Sequence, residues 1–141
     1  MFVIAECIES QKPTYATEGA AGADLRSNEE VTIHPGDWML VGTGARLEMP
    51  KGVVGLIHPR SGLALKHGIT VLNAPGTIDC DYRGEVKVML YNAHTEPYTV
   101  LPGDRIAQIV FQQYLTAEFF WGDVSDNSDR GQGGFGSTGK N

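Results

Sequence analysis

The sequence predicts an all-β fold: a distorted jelly roll or β-barrel with one short helix and a flexible glycine-rich C-terminal tail. Three observations predict it. Eighteen glycines and seven prolines break the chain at short intervals, and the pieces between them have strand length. The clearest such pieces are Val53–Ile57, Val86–Leu90 and Arg105–Phe111. Two similar phrases, His34-Pro35-Gly36-Asp37 and Leu101-Pro102-Gly103-Asp104, each precede an apolar run. They read as turns in which proline presets φ and glycine takes a positive φ. Many short strands with regular turn signals point to a jelly roll or barrel.

A chain of 141 residues is about one domain, and it can bury roughly two thirds of the surface its unfolded form exposes. Cys7 and Cys80 are its two cysteines, and neither has a CxxC or histidine-spaced partner. No disulfide framework is expected, and a reducing, cytoplasmic setting is. The N-terminus, Met1 to Glu6, has a short apolar stretch without a basic lead, unlike a signal peptide. No apolar run approaches the ~20 residues a membrane helix needs, so no membrane partner is expected. The net charge of −6 argues against nonspecific nucleic-acid binding, which calls for a basic footprint. An acidic protein can still hold phosphates where a metal ion and a few placed arginines supply local positive charge.

Taken in order, Ala21 to Arg26 is rich in small residues with one acid, Asp24, and by itself signals little. Val53–Ile57 is a strand, and Pro59-Arg60-Ser61-Gly62 joins it to a short helix over 62–67, capped by Ser61 before it and Gly68 after it. Free backbone N–H groups and a positive dipole end suit that junction to an anion, with Arg60 and Ser61 as further donors. A plain N-cap explains it equally well.

The stretch from Asn73 to Gly84 is the densest in polar groups. Asp81-Tyr82-Arg83-Gly84 has Asp first and Gly fourth, a type I turn signal, which leaves Asp79 outside the turn on the entering strand. Strand alternation would set Asp79 and Asp81 on one face and Cys80 on the other, which disfavours a metal site built from all three. Val86–Leu90 alternates only partly, as expected of a strand covered on both faces.

Trp38 and Trp121 read as packing residues. His34, His58, His67 and His94 are scattered and form no nucleophilic set. A domain over residues 1–124 is followed by a tail, 125–141, with five glycines, no aliphatic residue and one aromatic, Phe135. Such a segment buries too little apolar area to order itself. Residues 134–140 fit the GxxxxGK frame of a P-loop, but no strand leads in and no helix can follow, so that reading fails. A backbone able to wrap phosphates survives, with Arg130 as a charged clamp.

Five phrases together resemble the trimeric dUTP pyrophosphatases (dUTPases). They are Ala21-Gly22-Ala23-Asp24-Leu25; Pro59-Arg60-Ser61-Gly62-Leu63; Gly76-Thr77-Ile78-Asp79 through Tyr82-Arg83-Gly84; Pro102 through Gln108; and Arg130 through Gly139. Any one is weak, and five in order form a strong signal.

The resemblance implies a jelly-roll subunit and a homotrimer whose active sites are built from all three chains, hydrolysing dUTP with Mg²⁺. Asp79 would activate the attacking water, from a rigid strand. Tyr82 would lie against the deoxyribose and leave no room for a 2′-hydroxyl. Asn73 and the hairpin backbone around Gly76 and Lys87 would read uracil, and Thr77 would bind substrate; Arg60, Ser61, Gly62 and Gln108 would contact phosphates. Asp24 would hold waters on Mg²⁺, which usually keeps several waters and leans on substrate phosphates. Phe135 would stack on uracil, while Arg130, Gly136 and Ser137 would close over the terminal phosphates, from the tail of a neighbouring subunit. Pro75 stands just before Gly76, where the family often has a small or aliphatic residue, and removes a backbone donor there.

Two rival readings accompany this one. A dCTP deaminase, with or without dUTPase activity, resembles the same fold and needs a glutamate in the strand after the central turn; Glu85 lies close, but too near the turn to match. A non-catalytic nucleotide-binding regulatory relative should have lost part of the constellation, yet every polar position is filled.

Overall fold

The structure is a computed structural model, and it describes residues 1–134. Phe135, Gly136 and Ser137 lie outside the described residues, as does the rest of the chain to Asn141. The strands are β1 (Ile4–Glu6), β2 (Thr14–Tyr15), β3 (Ala23–Arg26), β4 (Val31–Ile33), β5 (Trp38–Glu48), β6 (Val53–His58), β7 (Ile69–Val71), β8 (Gly76–Ile78), β9 (Glu85–Asn92), β10 (Tyr98–Val100) and β11 (Arg105–Gln113). A 3-10 turn covers Glu9–Gln11, and a single α-helix among the described residues, α1 (Ser61–His67), follows β6.

Every strand pair is antiparallel. A four-stranded sheet runs β1-β5-β9-β7, a five-stranded sheet runs β2-β3-β11-β6-β8, and β10 pairs with β4. The sheets share one core. Val41, Val86, Val88 and Leu90 come from the first; Leu25, Ile57, Ile106 and Ile109 come from the second. The architecture is therefore jelly-roll-like, with open sheet edges rather than a closed barrel.

The two proline-glycine phrases form the expected turns. Asp37 N donates to His34 O at 3.0 Å, and Asp104 N donates to Leu101 O at 3.0 Å. Gly36 and Gly103 take φ of 78° and 90°, the left-handed value that a type II turn requires at its third residue.

Several local expectations are corrected. Helix α1 begins at Ser61 itself, so Arg60 occupies the N-cap position and supplies no side-chain cap; Gly68 ends the helix in the left-handed region as expected. Strand β9 is buried on alternate residues only, with Val86, Val88, Leu90 and Asn92 inward and Lys87 exposed, so within one chain only one of its faces is covered. Trp38 is 53% exposed and Trp121 fully exposed, so neither is a core residue of its own chain. Among the described residues, regular structure ends at Gln113. Beyond it Leu115, Phe119, Phe120, Trp121 and Val124 all stand exposed.

Asn92 ties the sheets together in a way the sequence does not advertise. It is fully buried; its amide donates to Ile33 O and Glu96 O, both at 2.9 Å, and its Oδ1 accepts from His94 N at 2.8 Å. Asn92→Ala strands those backbone groups and leaves a void, at a cost of about 2–4 kcal/mol. The expected result is a melting temperature lower by about 10 °C, measured by calorimetry.

Candidate active site

The polar stretch from Asn73 to Gly84 is built around β8 and the hairpin that leads into β9. Strand β8 ends at Ile78, so Asp79 stands just beyond it. The turn also lies earlier than the sequence implies: Tyr82 N donates to Asp79 O at 3.1 Å, which makes Asp79 its first residue. The reason is the pull of β9. Its register with β5 starts at Glu85 opposite Arg46, so Gly84 is already entering a strand and cannot close a turn from Asp81.

Side chains brace this hairpin. Arg83 donates to Cys80 O (2.8 Å) and Tyr82 O (3.1 Å), and Arg46 Nε donates to Arg83 O at 2.8 Å. Tyr82 Oη donates to Glu85 O at 2.9 Å. The Glu85 carboxylate accepts from Gly44 N at 2.8 Å and from Asn28 at 3.2 Å, beside Lys87 Nζ at 3.5 Å. That carboxylate is thus tied to Gly44 of strand β5 and to Asn28.

An open cleft of about 300 Å³ is lined by Leu40, Thr77, Ile78, Asp79, Tyr82, Glu85 and Lys87. Thr77, Asp79, Tyr82 and Lys87, four of the expected site residues, meet there. Asn73 and Gly76 sit at the other end of β8 and line neither this cleft nor the next, and the Asn73 side chain folds over Gly76. On its far side Asp79 borders a second hollow of about 590 Å³ with Cys80, Asp81, Arg83 and Tyr114. There a hydrogen bond with Cys80 raises the Tyr114 phenol above its ordinary pKa.

A separate cleft of about 190 Å³ collects Gly22, Asp24, Arg60, Ser61, Gly62, Arg105 and Gln108. Asp24, almost fully buried, accepts from Arg60 Nε at 3.0 Å and from Arg105 at 3.1 Å. Arg60 also donates to Arg105 O at 3.0 Å. Two guanidiniums against one carboxylate leave a net positive charge with rigid donors, a setting that favours phosphate. The first helix-ladder bond runs from Ala64 N to Arg60 O, so the N–H groups of Ser61, Gly62 and Leu63 are not used by the helix. Gln108 donates to Pro59 O at 3.0 Å and lies against Gly22, whose missing side chain admits it.

Sequence reasoning passed over Arg105 as an individual residue; its place directly after the Leu101–Asp104 turn, at the start of β11, was the available signal. Arg130, by contrast, turns back on its own segment and donates to Gly133 O at 2.8 Å.

The two clefts lie at opposite ends of β6. Ile57 pairs with Gly76 and Gly55 with Ile78, which places Asp79 beside Val54, six residues from Arg60. At strand spacing that is about 20 Å, far more than the reach from the α- to the γ-phosphorus of a nucleotide.

A metal ion would find no ready cage: no group of three or more His, Cys, Asp or Glu that could hold one occurs among the described residues. The donor set instead fits Mg²⁺ carried on phosphates. Each Asp24 oxygen takes one arginine bond and retains a second lone pair, enough to accept from a metal-bound water.

A family model described as dUTPase matches residues 9–139. The chain is 55% identical over 128 residues to the deoxyuridine 5′-triphosphate nucleotidohydrolase of Anaeromyxobacter sp. (strain Fw109-5), covering 91% of this chain and 87% of that protein. It is 52% identical over 132 residues to the enzyme of the same name from Nautilia profundicola (strain ATCC BAA-1463 / DSM 18972 / AmH), covering 94% and 93%. Among solved structures, the dUTPase of Staphylococcus bacteriophage 80alpha with dUPNHPP superposes with a TM-score of 0.89 at 25% identity, covering 98% of each chain.

Proposed function

The chain belongs to the dUTPase family, and on that premise we propose how this fold hydrolyses dUTP to dUMP and pyrophosphate. The observation that carries the proposal is the division of polar groups between two clefts about 20 Å apart along β6. One offers a carboxylate beside an aromatic ring, the other a cationic, donor-rich cradle. A nucleoside triphosphate needs both, so the working site takes its nucleoside cleft from one subunit and its phosphate cleft from another.

Asp79 orients a water on the α-phosphorus and accepts its proton as the new P–O bond forms. The bond from the α-phosphorus to its bridging oxygen breaks, and pyrophosphate departs with that oxygen. Arg60, the N–H groups of Ser61 and Gly62, Gln108 and Arg105 hold the phosphate chain. Their fixed positions mean that little reorganisation is needed as charge shifts. Tyr82 lies against the deoxyribose; Asn73, Gly76, Thr77 and Lys87 belong to the hairpin that reads uracil. Mg²⁺ would supply positive charge to the phosphates, and Asp24 would accept from a water on that ion.

A closed trimer gives each chain both neighbours it needs. The exposed arm carrying Phe119, Phe120 and Trp121 supports association, since a monomer seldom leaves such apolar area in water. The tail from 125 onward, with Arg130, Phe135, Gly136 and Ser137, would close over the substrate of a neighbouring subunit and exclude water. Residues 1–124 would form the body. No described helix is long and apolar enough to cross a membrane. Both cysteines are free, which supports a cytoplasmic setting.

Pyrophosphate release from dUTP, dTTP, dCTP and UTP with Mg²⁺ tests the reading. Strong selectivity for dUTP is expected, because dTTP adds a methyl on the base, dCTP changes the base-pairing edge and UTP adds a hydroxyl near Tyr82. Ammonia released from dCTP would refute it.

A further inference from the structure

Gly84 has no left-handed backbone angle to explain it, yet it cannot be replaced without disturbing its surroundings. A Cβ built there would stand 2.6 Å from Tyr82 Cζ and 2.9 Å from Tyr82 Cε2. Those atoms are the far end of a movable side chain, so the ring would give way and the fold would not. That same hydroxyl end is held by the hydrogen bond from Tyr82 Oη to Glu85 O. That carbonyl is itself fixed, because the Glu85 carboxylate is pinned by Gly44 N and Asn28.

We infer that Gly84 is a specificity-determining positioning residue: its bare Cα is the floor on which the Tyr82 ring rests, and it sets how close the ring approaches the sugar's 2′ position. The inference rests on the reading of Tyr82 given above. A methyl at position 84 displaces the ring and breaks its bond to Glu85, so the fixed contact that excludes a ribose 2′-hydroxyl is lost. The effect falls on discrimination between dUTP and UTP and leaves the phosphate cleft untouched.

The test compares kcat and KM for dUTP and UTP in Gly84→Ala, Tyr82→Ala and the double variant, with the melting temperature of each. Gly84→Ala is expected to melt close to wild type and to lower the dUTP:UTP ratio of kcat/KM about tenfold, with UTP gaining through KM. In the Tyr82→Ala background the same glycine change should add nothing, as a residue acting only through the ring requires. If Tyr82→Ala collapses the ratio while Gly84→Ala leaves it unchanged, the inference falls alone. If Tyr82→Ala leaves the ratio unchanged, the sugar reading falls and takes the inference with it. A loss of folding in Gly84→Ala that persists in the double variant would also overturn it, since the added methyl would then collide with something other than the ring.

Discussion

Asp79→Asn is expected to bind dUTP nearly as well as the natural enzyme and to turn it over about 10²–10⁴ times more slowly, the usual worth of a positioned general base. The amide matches the carboxylate in size, so the cleft beside Tyr82 keeps its shape. It cannot take a proton from water. The fold should not notice the change: the side chain is exposed, and the hydrogen bond that makes Asp79 the start of its turn comes from Tyr82 N to the Asp79 backbone oxygen. Surface changes of that kind stay within about 0.5 kcal/mol. Calorimetric titration with a non-hydrolysable dUTP analogue, alongside pyrophosphate release, separates the two effects. Undiminished release would end the case for Asp79 as the base, whatever the binding constant.

The second large effect concerns the oligomer. Arg60→Ala removes the guanidinium that Asp24 and Arg105 hold in the phosphate cleft, and it should cost about 100-fold or more in turnover. Arg60→Ala and Asp79→Asn are each nearly inactive alone, but co-refolded in equal amounts they should recover activity. Where Asp79 comes from one subunit and Arg60 from another, random mixing leaves about one quarter of the sites with both residues intact. A mixture no more active than its parents would mean that the two residues serve one site within a chain, against the separation of about 20 Å that strand geometry sets. The experiment therefore measures the sharing of sites directly, without a structure of the assembly.

Legibility in the sequence was uneven, for physical reasons. The Leu101–Asp104 and His34–Asp37 turns were readable because proline and glycine carry their backbone preferences with them into any context. Strands β6, β9 and β11 were readable because their apolar residues have nowhere else to go. The turn at Asp79 was not, because its position follows from the pairing of Glu85 with Arg46, a contact between distant segments. Ser61 failed as a cap for a similar reason: Arg60 is drawn toward Asp24 and Arg105, and this fixes where the helix can begin. Trp38 and Trp121 resisted reading because an aromatic residue signals burial without saying in which molecule.

The sequence by itself determined the all-β class, the paired turns, the single short helix and the set of residue types from which a phosphate cleft and a nucleoside cleft can be made. These are properties of neighbouring residues, where local propensity and short motifs suffice. Only the tertiary structure decided that Asp24 grips two arginines, that Tyr82 rests on Gly84 under the Glu85 carbonyl, and that Asp79 and Arg60 stand at opposite ends of one strand. Those facts depend on register between strands far apart in the chain, where pairing fixes distance and sequence proximity does not.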